Sequence, residues 1–251
     1  MNGSWDFFWQ SIRFDAGHPP LDYLTARLWQ TLSPSETARK IPVVFWGVGA
    51  VASFGLLVAR RTSSRAGLIA AALLACAPFH VRYSQELRPY SLSLFLLSLS
   101  LLALEEFLRH PGTLGLALFF SSFLATIYTA YILQIVLLLA AGGVLIEDAF
   151  RADLDRRRIA RRCLAWSPLF LALLAVAYLP WWPVQLEAAR RPSVQSHIGA
   201  FGLPRIGRIL SFFFFAPDGG HPLGWEGAFC LVLAVAGAFL AGKRAGDASW
   251  S

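Results

Sequence analysis

Long apolar runs alternate with short charged clusters along most of this sequence. Charge-free stretches cover residues 41–59, 66–81, 89–104, 111–146, 163–186 and 227–242. A helix needs about 20 predominantly apolar residues to cross the hydrocarbon core of a bilayer. The run at 111–146 is too long for one span, so it predicts a helical hairpin that turns near the TIYTAY segment at 126–131. The pattern therefore predicts an all-α polytopic membrane protein.

About seven transmembrane helices follow from this pattern, near residues 41–59, 66–81, 89–104, 112–127, 129–146, 163–182 and 225–242. Pro78 is expected to end the second helix early, because proline has no backbone N–H. Lys and Arg collect in cytoplasmic loops, so the Arg-rich segments at 60–65 and 151–162 are placed inside, with a cytoplasmic tail at 243–251. Residues 1–40 then form an extracytoplasmic first loop with juxtamembrane amphipathic helices.

Two segments are harder to fit to this topology. The loop EEFLRHPG at 105–112 must lie inside, although it carries little positive charge. Residues 1–40 contain several charged side chains and would have to reach the outside with no helix before them. We therefore expect a further span upstream of Met1.

Composition supports a membrane location and argues against several functions. Only 15% of the residues are charged, against about 25% in soluble domains. The net charge is +7, but the basic residues lie between apolar runs rather than in a basic groove. Nucleic acid is therefore not an expected partner. Cys76, Cys163 and Cys230 are too far apart for a zinc or redox motif. There is no phosphate-binding Gly-rich loop, which argues against the use of ATP.

The segment DAGHPPLDYL at 15–24 is the first candidate for chemistry. The two prolines hold the backbone extended, since proline fixes φ and restricts the residue before it. Asp15 and His18 are thereby presented on a rigid loop next to a membrane surface. The alternative is structural, because a Pro pair before LDYLTARLWQ also describes the entry to an amphipathic helix.

The segment VRYSQELRPYSL at 81–92 is the second candidate. It places Arg82, Glu86 and Arg88 at the outer mouth of two predicted spans. Ionisable groups at such a depth are costly and usually mark a function, and the planar guanidinium of Arg suits a phosphate. The alternative is an ion pair between Arg82 and Glu86, which are four residues apart, that only anchors the loop.

Four segments together resemble one family of membrane enzymes. HPPLDYL at 18–24 resembles the H/K-P-P-L-x-Y-L segment of the dolichyl-phosphate-mannose–protein mannosyltransferase-like family, which are GT-C fold glycosyltransferases. The stretch 60–92 resembles the family's second to fourth transmembrane helices, with its S-Q-E-x-R-x-Y core. IYTAYIL at 127–133 is similar to the family's Y-T-H-Y segment, with Ala130 in place of His. YLPWWPV at 178–184 is similar to its L-P-W ending.

The resemblance implies that the predicted helices form a bundle of GT-C type in the plasma membrane and that the sugar donor is a polyprenyl phosphate. It implies transfer of the sugar, with inversion, on the extracytoplasmic face. The residues expected to bind the donor are His18, Arg82, Arg88 and Tyr90, and the candidate catalytic acids are Asp15 and Glu86. The family's main catalytic acid lies in an Asp-Glu pair well upstream of H-P-P, and no such pair precedes His18 here. No cofactor is required by the sequence, and a divalent metal stays possible.

Other functions stay open at this stage. A ligase or polymerase of lipid-linked polymers would share the topology and the outer Arg residues. A transporter would favour ionisable residues near the middle of its spans, and here they lie at the span ends. An inactive remnant would fit the absent upstream acid. The acceptor can be a lipid, a glycan or a protein.

Overall fold

The computed structural model describes residues 5–15, 18–32, 35–150 and 153–189. Helices make up 86% of these residues, and no strand occurs among them. In chain order the helices are α1 (Trp5–Asp15), α2 (Leu21–Leu32), α3 (Glu36–Arg61), α4 (Ser64–Cys76), α5 (Pro78–Tyr83), α6 (Tyr90–Arg109), α7 (Thr113–Ile127), α8 (Tyr131–Ala149), α9 (Leu154–Tyr178) and α10 (Trp182–Ala189). The predicted span at 225–242 and the tail at 243–251 lie outside the described residues.

α3 begins at residue 36, five residues before the predicted span, although it contains a proline. Pro42 cannot donate the helical hydrogen bond that the carbonyl of Ala38 would accept. The indole Nε1 of Trp29 donates to that carbonyl instead, at 2.5 Å. The side chain of Ser35 caps the helix by accepting from the N–H of Ala38 at 3.1 Å. A residue of α2 thus stabilises the bend-prone start of α3.

The span predicted at 66–81 is divided between two helices. α4 is 13 residues long, or about 20 Å, which is shorter than the 30 Å hydrocarbon core of a typical bilayer. Ala77 is extended, with φ −66° and ψ 121°, because the ring of Pro78 disfavours helical geometry in the residue before it. Pro78 then starts the short helix α5.

The Arg-rich segment predicted as a loop at 151–162 is helical from residue 154 onward. The carboxylate of Asp153 caps α9 by accepting from the N–H groups of Asp155 and Arg156. Arginine is also a strong helix former. The helix therefore starts nine residues before the predicted span at 163–182, and its arginines project from a rigid element.

Three of the described helices are long and apolar enough to cross a membrane: Thr37–Arg61, Tyr90–Arg109 and Leu154–Tyr178. Two more, Ser64–Cys76 and Thr113–Ile127, are apolar but shorter. Large apolar side chains point outward from several helices, as in Leu68 (74% exposed) and Leu139 (72% exposed). A helical chain with an apolar outer surface is typical of a membrane protein, since a helix satisfies its backbone hydrogen bonds internally.

α3 and α4 pack closely through small residues. A Cβ on Gly67 would lie 2.6 Å from the carbonyl oxygen of Gly55 and 2.5 Å from the Cβ of Ala59. Gly, Ala and Ser at helix contacts allow such close approach in membrane proteins. The interior next to these helices is centred on Phe123, Leu104, Leu108 and Leu137, which are at most 2% exposed.

The bundle has two chemically distinct ends. We define the Arg end as the region where α3, α6 and α8 finish and α9 starts, because Arg61, Glu105, Asp148 and Arg156 meet there in ion pairs. The aromatic end is defined by residues 77–90, 127–131 and 178–182 at the other ends of the same helices. The predicted site residues Arg82, Glu86, Arg88 and Tyr90 lie at the aromatic end.

Candidate functional site

The loop that carries His18 docks on the turn between α7 and α8. Pro19 and Pro20 are buried, and the N–H of Leu21 donates to the carbonyl of Tyr128 at 3.0 Å. Pro20 has no N–H to satisfy, so its place directly before α2 leaves no orphan donor there. The loop is therefore held in place by its backbone, and His18 is half-buried at its start.

Tyr128 joins this loop to the end of α9. Its hydroxyl donates to the carbonyl of Ala177 at 2.7 Å, and its ring packs edge-on against that of Tyr178 with centroids 5.2 Å apart. Trp181 follows and is 5% exposed. We call the assembly of residues 18–23 with Tyr128, Tyr178 and Trp181 the HPP junction.

Asp22 is a site residue that the sequence reasoning did not single out. It lies in the first turn of α2, inside the HPP junction. Burial raises the pKa of its carboxyl from 3.8 to about 6, because a poorly solvated environment disfavours the charged form. A carboxyl with a pKa near 6 exchanges protons close to neutral pH, as a general base requires. The sequence signal that could have identified Asp22 was its position within the HPPLDYL segment.

Asp15 is the last residue of α1, and its side chain lies outside the described part of the chain. α1 itself packs on α2. The guanidinium of Arg27 lies 4.5 Å from the ring centroid of Trp5 and 4.7 Å from that of Phe8. These contacts hold the first turn of α1 against α2.

Arg82 and Glu86 form the ion pair that their spacing allows. Nε of Arg82 donates to Oε1 of Glu86 at 3.1 Å, and the two side chains are 48% and 38% exposed. A pair so exposed contributes little to stability, so both groups stay accessible to a ligand. Arg88 is exposed beyond this pair, and its backbone N–H donates to the carbonyl of Glu86 at 2.8 Å.

Aromatic rings position the segment that carries these charges. Tyr90 starts α6 and packs edge-on against Tyr83 at 4.5 Å between centroids, and Tyr83 in turn contacts Phe79 at 4.4 Å. The hydroxyl of Ser91 donates to the carbonyl of Tyr83 at 2.8 Å. We call Arg82, Glu86, Arg88 and Tyr90 together the mouth group.

A cleft of about 260 Å³ opens between α3, α4 and α5, next to the mouth group. Its walls are Val44, Gly47, Val48, Val51, Ala75 and Val81, and its polar rim is His80, Ser84 and Gln85. The ring of His80 donates to the carbonyl of Gly47. A Cβ on Gly47 would lie 2.8 Å from the Cβ of Ser84, so glycine permits this close approach. An apolar slot with a polar rim suits an amphipathic ligand.

The predicted site residues thus fall into two groups at the aromatic end of the bundle. The backbone of α2 and the helices α7 and α9 position the HPP junction, whereas residues 79–91 position the mouth group. The structure places His18 in the loop that the N–H of Leu21 docks on Tyr128, and it pairs Arg82 with Glu86. The assignment of roles to Asp15, Glu86, His18, Arg82, Arg88 and Tyr90 stays a prediction.

The Arg end holds a buried ionic cluster that sequence reasoning missed. Glu105 is fully buried and accepts from Arg61 at 2.7 Å, from Arg109 at 2.7 Å and from Arg156 at 2.9 Å. Asp148 is also fully buried and accepts from Arg61 and Arg156 at 3.3 and 2.7 Å. The cluster ties together the four helices α3, α6, α8 and α9.

The loop predicted at 105–112 is explained by this cluster. The segment was expected to lie inside although it carries little positive charge. Glu105 lies within α6 and neutralises arginines from three helices. The spacing of Glu105 and Arg109 was a signal for the local pair. Nothing in the sequence indicated that Arg61 and Arg156 would join it.

Within the described residues, no group of three or more His, Cys, Asp or Glu side chains is placed to hold a metal ion. Comparison with protein-family models, curated proteins and solved structures finds no match to this chain. The family resemblance therefore depends on the four sequence segments alone.

Proposed function

We propose that this chain takes part in transferring a sugar, with inversion, from a polyprenyl-phosphate-linked donor to an extracytoplasmic acceptor. In this proposal it is a plasma-membrane protein with a GT-C type bundle of about seven spans, and its aromatic end faces outward. One observation carries the proposal. The segments 18–24, 127–133 and 178–184, which resemble the same family, meet at the HPP junction although about 160 residues separate the first from the last.

The mouth group and the cleft support a lipid-phosphate donor. The prenyl chain would enter the apolar slot lined by Val44 and Val48, which are 47% and 63% exposed and open to the lipid. Its phosphate would then reach Arg82 or Arg88 at the rim. Guanidinium groups at the leaving phosphate stabilise the negative charge that develops in the transition state.

A carboxylate is needed to take the proton from the acceptor hydroxyl. Asp15 and Glu86 are the candidates from sequence. Asp22 is a further candidate, because its pKa of about 6 lets it accept a proton near neutral pH. Glu86 is engaged by Arg82, which suits a role in positioning that guanidinium better than a role as the base.

The test is a transfer assay with the purified chain in proteoliposomes. A panel of polyprenyl-phosphate sugars would be supplied together with membrane extracts as acceptor, and released polyprenyl phosphate would be measured. We expect release with at least one donor, and a loss of roughly tenfold or more for His18→Ala, equivalent to about 1.4 kcal/mol. The matched control is His110→Ala, because His110 is 75% exposed at the Arg end.

Release that is equal for both histidine variants would remove His18 from the site. Absence of release across the whole panel, with a well-folded chain, would contradict sugar transfer by this chain.

A further inference from the structure

α9 presents one continuous exposed face that begins with arginines and continues with apolar side chains. At helical spacing this face carries Arg158, Arg162, Ala165, Trp166, Leu169, Leu173 and Val176, all exposed. Trp166 is 66% and Val176 is 62% exposed. Only 11% of the spanning part of α9 is buried, against 50% for α6. The face is therefore turned away from the bundle.

The arginines on this face differ from those inside the ionic cluster. The side chain of Arg156 is 11% exposed and bound by Glu105 and Asp148. In the part of the chain that the structure describes, no ion pair involves Arg158 or Arg162. These two are one turn apart, about 6 Å along the axis, so both guanidiniums can reach one anionic group. Phosphate is the anion that the planar, forked guanidinium suits.

The order of side chains along α9 matches the order of groups along a phospholipid. Trp166 lies one turn after Arg162, and Trp is enriched where the headgroups meet the hydrocarbon. The eleven residues from Trp166 to Val176 extend about 15 Å along the axis, which is half of a hydrocarbon core of about 30 Å. Across the depth of one leaflet, α9 therefore presents arginine side chains first, then an indole, and then apolar side chains.

α4 provides a comparison at the same end of the bundle. It also starts with an exposed arginine, Arg65, and continues with Leu68, Ile69 and Leu73, which are at least 60% exposed. It has neither a second arginine nor an indole on that face. A lipid-exposed helix of this protein therefore does not need the pattern found on α9.

We infer that α9 carries a binding site for an anionic phospholipid of the leaflet that contains the Arg end. The phosphate is held between Arg158 and Arg162, the glycerol region lies beside Trp166, and an acyl chain follows Leu169 and Leu173. The inference does not depend on sugar transfer, because the donor is assigned to the aromatic end.

Lipid titration followed by native mass spectrometry tests the site. The purified chain in detergent would be titrated with phosphatidylglycerol, with phosphatidylcholine and with inorganic phosphate. We expect phosphatidylglycerol to bind in preference to phosphatidylcholine. The variant Arg158→Gln/Arg162→Gln should weaken phosphatidylglycerol binding by roughly ten- to thirtyfold, or about 1.4 to 2 kcal/mol. Arg158→Lys/Arg162→Lys should weaken phosphatidylglycerol binding by less than the Gln variant, because the charge remains although the forked geometry is lost.

The matched control is Arg60→Gln/Arg65→Gln, which removes two exposed charges from the same end on α3 and α4. It should bind phosphatidylglycerol like the unmodified chain. An equal loss in this control would show diffuse charge attraction and overturn the site. Equal binding of phosphatidylcholine, or displacement of the lipid by inorganic phosphate at matched concentration, would also overturn it. Circular dichroism verifies that each variant is folded.

Discussion

At the scale of single residues, Asp22 is the clearest case of a side chain whose environment conflicts with its charge. Burial raises the pKa of its carboxyl to about 6, against 3.8 in water. The folded state thus holds the proton more tightly than the unfolded state. The contribution of Asp22 to stability is therefore most favourable below about pH 4 and is lost as the pH rises through about 6. Such a conflict is common at functional sites.

Asp22→Asn should remove the free-energy cost of keeping a charged carboxylate in this buried position. At about pH 7.5 we expect the variant to be more stable than the unmodified chain, by at most roughly 3 kcal/mol for a shift of about two pKa units. The difference should vanish near pH 4. Thermal unfolding in detergent across that pH range measures it, with the exposed Asp6→Asn as control. A stability difference that does not change with pH would contradict the raised pKa.

Arg88 carries the sharpest prediction for the donor phosphate. It is exposed and follows the cleft-lining residue Gln85 by three positions, where a carrier phosphate would approach from the lipid. Arg88→Lys keeps the charge but loses the forked geometry, so transfer should fall roughly tenfold or more. Arg88→Ala should also weaken donor binding. The control is Arg65→Ala, which lies at the Arg end. Normal transfer by Arg88→Ala, at normal expression, would reduce the mouth group to a structural ion pair.

At the scale of helices, the ionic cluster fixes how α3, α6, α8 and α9 meet. Removing one partner of a buried ion pair leaves uncompensated charge and costs roughly 3–5 kcal/mol. Glu105→Gln should therefore lower the melting temperature strongly. Glu106→Gln is the adjacent control, since Glu106 is 43% exposed and pairs with the exposed Arg60 at 3.5 Å. Similar melting temperatures for the two variants would show that the cluster does not hold the helices together.

The helices also show what the sequence could and could not predict. The apolar runs predicted where the helical regions lie, because a helix that crosses the hydrocarbon core needs a continuous apolar surface. Pro78 marked a break that is visible in the sequence alone. The start of α3 was not predictable, since it depends on Trp29 donating to the carbonyl that Pro42 leaves without a partner. The start of α9 was missed because Arg156 is stabilised by acids of other helices.

The candidate site was predictable to a similar degree. The H-P-P loop and the Arg82–Glu86 pair could be located from local spacing. Their separation into the HPP junction and the mouth group could not, because it depends on long-range contacts such as that between Leu21 and Tyr128. Asp22 was overlooked because burial, which raises its pKa, is not visible in one sequence.

At the scale of the whole molecule, the proposal requires opposite ends on opposite sides of the membrane. In a background without native cysteines, we expect Thr31→Cys in α2 to react with an impermeant thiol reagent added to intact cells. His110→Cys at the Arg end should react only after permeabilisation, because arginines collect on the cytoplasmic side. Both positions are exposed, so access to reagent is matched. Labelling of residue 110 in intact cells would show that the protein has the opposite orientation in the membrane.

The most direct measurement is a map of where the donor binds. A polyprenyl phosphate with a photoactivatable group near its phosphate would be crosslinked to the purified chain, and the labelled peptides would be identified by mass spectrometry. Excess phosphatidylglycerol would occupy α9 during the reaction. We expect crosslinks within 44–51 and 80–88, the walls and rim of the cleft. Crosslinks confined to the Arg end, or spread evenly over the lipid-facing helices, would contradict a donor site at the aromatic end.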